Sequence, residues 1–224
     1  EYLVYLEYLE LLESQTSLFF TACTNDPYEA GDGTYSYLCA EFAELTTTAA
    51  TTVPSATTDA NETLLFDAPI QVKWAEKADT VYRALLYYNK VENAKPQAVS
   101  AVQVPVLYPS ALNDGEEMHA DPLSLESSWT SASGKYFNLS LLLKTGVEEG
   151  LDARQTIGVV ITDVTEHADG TKHYALQLYH NQNNVPQYYT SRIYVSIPLK
   201  DFKSGDSATL TVNPYQGAVV LSLY

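Results

Sequence analysis

Apolar residues in this chain recur at every second position, and after residue 20 no stretch of useful length shows helical spacing. The clearest case is QTIGVVITDVTEH (155–167) followed by TKHYALQLYHN (171–181), two alternating runs around Asp169-Gly170. Such a pair is expected to supply the positive φ angles of a two-residue hairpin turn. Runs of the same texture, rich in Tyr, Val, Leu and Thr, occupy 34–45, 63–70, 80–91 and 98–109 in the first half. LSLESSWTS, KYFNLSLLLKTG, QYYTSRIYVSIPL, ATLTV and AVVLSLY follow in the second. A chain patterned in this way buries apolar surface only by pairing strands and stacking or closing the resulting sheets, so the fold class is all-β.

Two domains are expected. Both faces of 80–91 are apolar, with Val81, Leu85 and Tyr87 on one and Tyr82, Leu86 and Tyr88 on the other. That pattern fits a small barrel or a covered sheet. Pro105 interrupts the run at 98–109 and places that strand at an edge or a bulge. The stretch TTTAATTVPSATTDANE (46–62) has no apolar period and reads as a long exposed loop. PSALNDGEEMHADP (109–122) combines Pro, Asn-Asp-Gly and acidic residues and marks a boundary. The division is therefore 1–33 as leader and tether, 34–112 as the first domain and 123–224 as the second, whose six or seven strands are spaced as in a β-sandwich.

Charge removes one class of partner. Lys and Arg total 12 against 28 Asp and Glu, a formal net charge of −16, which repels phosphate backbones and anionic membrane surfaces. No nucleic acid is expected to bind. Cys23 and Cys39 are the two cysteines; they form neither a disulfide framework nor a C-x-x-C pair. No apolar stretch reaches the roughly 18 residues that a membrane-spanning helix needs.

The N-terminus holds the one modification signal. LFFTAC (18–23) closes an apolar run on Thr21, Ala22 and Cys23, as a bacterial lipoprotein signal does. What precedes it is EYLVYLEYLELLESQTS, with four Glu and no basic residue; Lys73 is the first in the chain. Residues 1–13 place Glu7, Glu10 and Glu13 three apart, as on a short amphipathic helix or an irregular leader. Cys23 is thus a lipid attachment site, a plain loop residue or a disulfide partner of Cys39.

Further residues point to a family. Tyr35-Ser36-Tyr37 after an acidic linker, YRALLYYN (82–89), DPLSLESSW (121–129), GKYFNLSL (134–141) and LQLYHNQN through YYTSRIYVSIPL (176–199) together resemble the NigD-like proteins of Bacteroidales. The resemblance spans about residues 18 to 220 and implies an exported lipoprotein. Its implied fold is an N-terminal OB-type barrel followed by a C-terminal immunoglobulin-like β-sandwich. It also implies lipidation at Cys23, since LFFTAC followed by Thr24-Asn25-Asp26 is similar to the family's junction of lipobox and acidic linker, with Phe20 in place of the usual Leu. The implied location is the outer membrane or cell surface, reached only through the lipid anchor. The family brings no established biochemical activity.

Catalytic signals are weak. His119, His167, His173 and His180 occur without a nucleophile motif such as G-x-S-x-G. The carboxylate pairs Glu116-Glu117 and Glu148-Glu149 lie in polar loops. His167 and His173 flank the hairpin turn without a third ligand at metal spacing, so no metal and no cofactor is expected. Binding is better supported, because 18 tyrosines are many for this length and exposed rings stack on sugars or anchor protein interfaces. Tyr87-Tyr88 and Tyr188-Tyr189 each send one ring outward if their strands are one-faced, and Tyr88 and Tyr189 are the candidate contacts for a glycan or an envelope protein. The alternative is a structural subunit resembling lipid-anchored pilins, with AVVLSLY completing a neighbour's sheet by strand addition.

Overall fold

The computed structural model describes residues 4–5, 38–90 and 94–223; Cys23 and most of the expected leader and tether lie outside them. Every regular element among the described residues is a strand. Two compact units divide the chain between Gln103 and Val104, the second also taking in β1 (Val4–Tyr5). The expected boundary after residue 112 therefore falls nine residues too late.

The first unit contains β2 (Leu38–Thr46), β3 (Thr52–Thr58), β4 (Thr63–Gln71), β5 (Val81–Asn89) and β6 (Gln97–Gln103). All pair antiparallel in the order β4-β3-β2-β5-β6. The sheet curls until its two ends meet, where the Asp67 N–H donates to the Pro96 carbonyl at 3.2 Å. The result is a curled half-barrel with the strand order of an OB-type barrel. Alternation explains the core: Ala84, Leu86 and Tyr88 of β5 face inward with Ala43, Leu45, Val53, Ala56 and Leu64. Arg83, on the opposite face of β5, is nevertheless buried. Its guanidinium forks onto the Asp59 carboxylate at 2.6 and 2.7 Å and lies 5.3 Å from the Phe42 ring centroid.

The exposed loop expected over 46–62 is a correction. Thr52–Thr58 is β3, paired on both sides. The register shifts between Val53, opposite Ile70, and Ser55, opposite Leu65, so the extra residues of a bulge lie on β4 and face Pro54, where no ladder donor is needed. The bulge resets the alternation, so Val53 and Ala56 both point inward although three residues apart. A period-two search misses a strand of this kind.

The second unit is a sandwich. Its strands are β7 (Ser124–Thr130), β8 (Tyr136–Thr145), β9 (Thr156–Glu166), β10 (Lys172–Asn181), β11 (Tyr189–Pro198), β12 (Ser207–Val212) and β13 (Val219–Ser222). One sheet runs β11-β8-β7 and the other β1-β9-β10-β12-β13. β7, β8 and β11, the first, second and fifth strands after the strap, thus share a sheet, as in immunoglobulin-type sandwiches. In the other sheet β10 and β12 pair in parallel. Phe137, Leu139, Leu141 and Leu143 project from β8 into a core shared with Ile157, Leu176, Leu178, Val195, Ile197 and Leu210.

Residues 104–123 form a strap laid along these sheets rather than a free linker. The Leu107 N–H donates to Ser196 and the Ser196 N–H to Pro105; Ser110 likewise exchanges bonds with Val159 and Ile161, and His180 with His119 and Asp121. Leu107 and Leu123 are fully buried in the sandwich core. Those two side chains explain why the acidic, Pro-containing stretch belongs to the second unit. The β9–β10 turn also differs from expectation. Gly170 alone takes a positive φ, +81°, while His167 accepts from Gly170 and donates to Thr171. The turn is a three-residue loop with Gly170 in the left-handed position, rather than a two-residue one.

Candidate binding cleft at one end of the sandwich

Three pieces of the second unit converge on a polar cleft of about 630 Å³: the end of the strap at His119–Pro122, the β10–β11 loop, and Tyr215 in the β12–β13 turn. The loop holds its shape through its own side chains. Asn183 and Asn184 both take left-handed φ values, 45° and 59°, which asparagine tolerates better than most residues. The Asn183 N–H donates to Asn181 Oδ1 at 2.8 Å, and Asn183 Nδ2 donates to the Arg154 carbonyl at 3.0 Å. Gln182 donates from its main chain to Asp121 Oδ2 at 2.7 Å and from its side chain to the Lys144 and Val185 carbonyls.

Asp121, Gln182 and Asn183 therefore build the walls. Among the described residues, the side chains of Asn184, Gln187 and Tyr215 make no hydrogen bond within the chain, and Tyr215 is 49% exposed. His119 is held edge-to-face on Tyr179, with ring centroids 5.8 Å apart.

Behind the cleft His180 is buried, with Nδ1 2.9 Å from the Asp121 carbonyl and Nε2 2.9 Å from Gln155 Oε1. Two acceptors facing the ring favour the imidazolium, but burial opposes it and is the larger effect, so its pKa lies below the ordinary histidine value. The sign of the stability effect follows. Between the folded and unfolded pKa values the unfolded chain takes up a proton that the folded chain does not, so stability is complete above the unfolded value near 6.5 and falls as pH drops below it. Asp206, held low by the Lys172 N–H, and Asp169, held low by the Thr171 hydroxyl, lose their contributions only in more acidic solution. We expect the urea midpoint of the second unit to fall between pH 7.5 and 5.5 and His180→Gln to flatten that slope; equal slopes would exclude His180 as the cause.

The tyrosines expected as contacts separate. Tyr88 is a correction: it is 0% exposed, faces the barrel core and donates to Glu41 Oε1 at 2.9 Å. Burial, followed by that hydrogen bond, raises its pKa. Tyr87 is the half-buried ring of that pair, and two apolar faces on β5 hid the choice from the sequence. Tyr189 is 46% exposed at the start of the edge strand β11, beside Tyr188 at 68%. Both are exposed because β11 begins only at Tyr189, so no inward face claims Tyr188. Its ring instead packs on Gly146, where an added Cβ would meet Tyr188 Cδ2 at 2.7 Å.

Of the histidines flanking the hairpin, His173 is engaged within the sheet. His173 turns to β12, with Nδ1 2.7 Å from Ser207 Oγ and Nε2 3.2 Å from Thr209 Oγ1. Among the described residues, no three His, Cys, Asp or Glu side chains are grouped to hold a metal ion. Sequence reasoning missed the cleft itself, although its signal, NQNNVPQ at 181–187, stands in the chain as an amide-rich break between two strands.

The sequence profile of the NigD-like C-terminal β-sandwich domain matches residues 106–217, half of the 224-residue chain. The chain belongs to the NigD-like family. That match contains the whole cleft and begins within the strap. Solved structures agree on the fold over both units. A NigD-like immunity protein from Bacteroides caccae is similar with a TM-score of 0.63 at 19% identity, over 82% of this chain and 91% of that one. A Bacteroides vulgatus protein of unknown function gives 0.60 at 18% identity, over 83% and 89%. A Bacteroides fragilis protein named as a candidate lipoprotein gives 0.57 at 13%, over 83% and 96%. None of the three is named as an enzyme. No curated protein matches the chain.

Proposed function

We propose that this NigD-like protein is an exported, non-catalytic lipoprotein, anchored through Cys23 at the outer membrane or cell surface, that works by binding a glycan or an envelope protein. The observation that carries the binding role is the cleft with its uncommitted amide and phenol groups, in the part of the chain that the family profile matches. Tyr189 extends the same loop into an exposed aromatic contact. Anchorage is supported by the Thr21-Ala22-Cys23 junction and by the name of the Bacteroides fragilis neighbour. A diacyl chain is worth about 0.8 kcal/mol per buried CH₂, so neither unit needs a membrane-binding face.

Affinity capture from envelope extracts tests the binding role. The wild-type chain is expected to retain a specific partner, and Tyr189→Ala to reduce its recovery at least tenfold; an envelope that yields no specific partner, protein or glycan, would refute it. Cell fractionation tests the anchor. Cys23→Ser is expected to move the protein from membrane to soluble fractions, whereas a wild-type protein that is already soluble would refute lipidation. One observation favours the structural-subunit alternative. β13 is an edge strand with Val219 39% and Val220 64% exposed, and among the described residues β12 is its one paired strand, which leaves room for strand addition.

A further inference from the structure

We propose that the cleft formed by His119–Pro122, the β10–β11 loop and Tyr215 is a site for a neutral saccharide. The inference rests on the binding role proposed above and commits it to one ligand class. Five side-chain amides, those of Asn181, Gln182, Asn183, Asn184 and Gln187, line this one cleft. An amide offers both donors and acceptors, as a sugar hydroxyl does, so a row of amides can meet a row of hydroxyls in either sense. Two of the five, Asn184 and Gln187, are not used within the chain. Tyr215 adds a half-exposed ring on which the C–H face of a pyranose can stack.

Charge decides against acidic ligands. No Lys or Arg lines the cleft, Asp121 stands in its wall, and the chain has a net charge of −16. A uronate, a sulfated sugar or a phosphate would meet a carboxylate and no cation. An extended peptide is disfavoured on other grounds. Peptide recognition needs pockets for alternate side chains, and the apolar lining here is limited to Pro122, Val185 and the Tyr215 ring. The volume, about 630 Å³, is in the usual range of small-ligand sites.

The backbone keeps the polar groups in place before any ligand arrives. Asn183 and Asn184 are pinned in the left-handed region by the Asn181, Arg154 and Gln182 hydrogen bonds described above. Preformed amides spare a ligand much of the ordering cost of binding.

Saturation-transfer NMR and calorimetric titration of the full chain test the site. The probes are cello-, xylo-, manno-, malto- and chitohexaose, with hexagalacturonate and a heparin hexasaccharide as anionic comparisons. At least one neutral hexaose is expected to bind, and neither anion to bind as tightly. Asn184→Gly, which removes the amide and keeps the left-handed backbone, and Tyr215→Ala should each weaken that binding at least tenfold; both residues are solvent-facing, and an unchanged urea midpoint confirms that each variant folds. The proposal is overturned if no neutral hexaose binds, if the anions bind equally well, or if both variants bind as wild type does. Capture of an envelope protein by a chain that ignores all five neutral probes would overturn the saccharide site and leave the binding role standing. Failure of both experiments would remove the two together.

Discussion

Leu141→Ala should destabilise the second unit by about 3–5 kcal/mol, read as a lowered urea midpoint. Leu141 is 0% exposed on β8, the central strand of its sheet, with Leu125 and Ile193 as cross-strand partners. Truncation leaves a cavity among residues fixed by ladders on both sides, so the site relaxes little and the cost lies above simple transfer of the lost methyl groups. That is a large share of the roughly 5–15 kcal/mol that holds an ordinary domain together. The neighbouring Leu142 faces the other way and is only half-buried, so Leu142→Ala should cost clearly less. The chain has two tryptophans, Trp74 in the first unit and Trp129 in the second, and Trp74→Phe leaves a fluorescence reporter for the sandwich alone. Equal losses at 141 and 142 would contradict the assignment of β8 faces.

Asp59→Ala is expected to cost the barrel about 3 kcal/mol, the lower end of the range for breaking a buried ion pair. The Arg83 side chain is 1% exposed and the Asp59 side chain 19%. Removing the carboxylate leaves a guanidinium enclosed against Phe42 without its two short hydrogen bonds, whereas the pair itself contributes much less than this penalty. Asp59→Ala combined with Arg83→Met should therefore recover much of the loss. The Trp129→Phe background reports on this unit, and a double variant no more stable than Asp59→Ala would show that loss of the Asp59 fork to the guanidinium is not the cause.

Much of the fold is legible because alternation survives wherever a strand has an inner face. The β8 leucines, the β9–β10 hairpin and the strands of the second half all stand in the sequence as period-two runs. Three features are hidden for separate physical reasons. β3 is masked because its alternation breaks at Pro54, opposite the bulge of β4. The strap looks like a linker because its polar composition conceals Leu107 and Leu123, which fasten it to the core through isolated bridges rather than a ladder. Tyr88 resembles its neighbour Tyr87, and only the curvature of the barrel decides which ring goes in. The cleft was illegible for a different reason: its walls come from segments nearly a hundred residues apart, and only the amide-rich loop between β10 and β11 leaves a local mark.

The way the strap ends governs when the protein becomes competent during its own folding. Leu123 donates to the Asn213 carbonyl and accepts from the Tyr215 N–H, and Asn213 Nδ2 donates to the Ala120 carbonyl at 2.6 Å across 93 residues. Contacts this distant in sequence close large loops and form slowly. The near wall of the cleft therefore cannot be seated until the last strands have been synthesised and folded back. A truncated or half-folded chain can own every strand of the barrel and still lack the cleft, so ligand binding at this site would report that the whole sandwich has been completed.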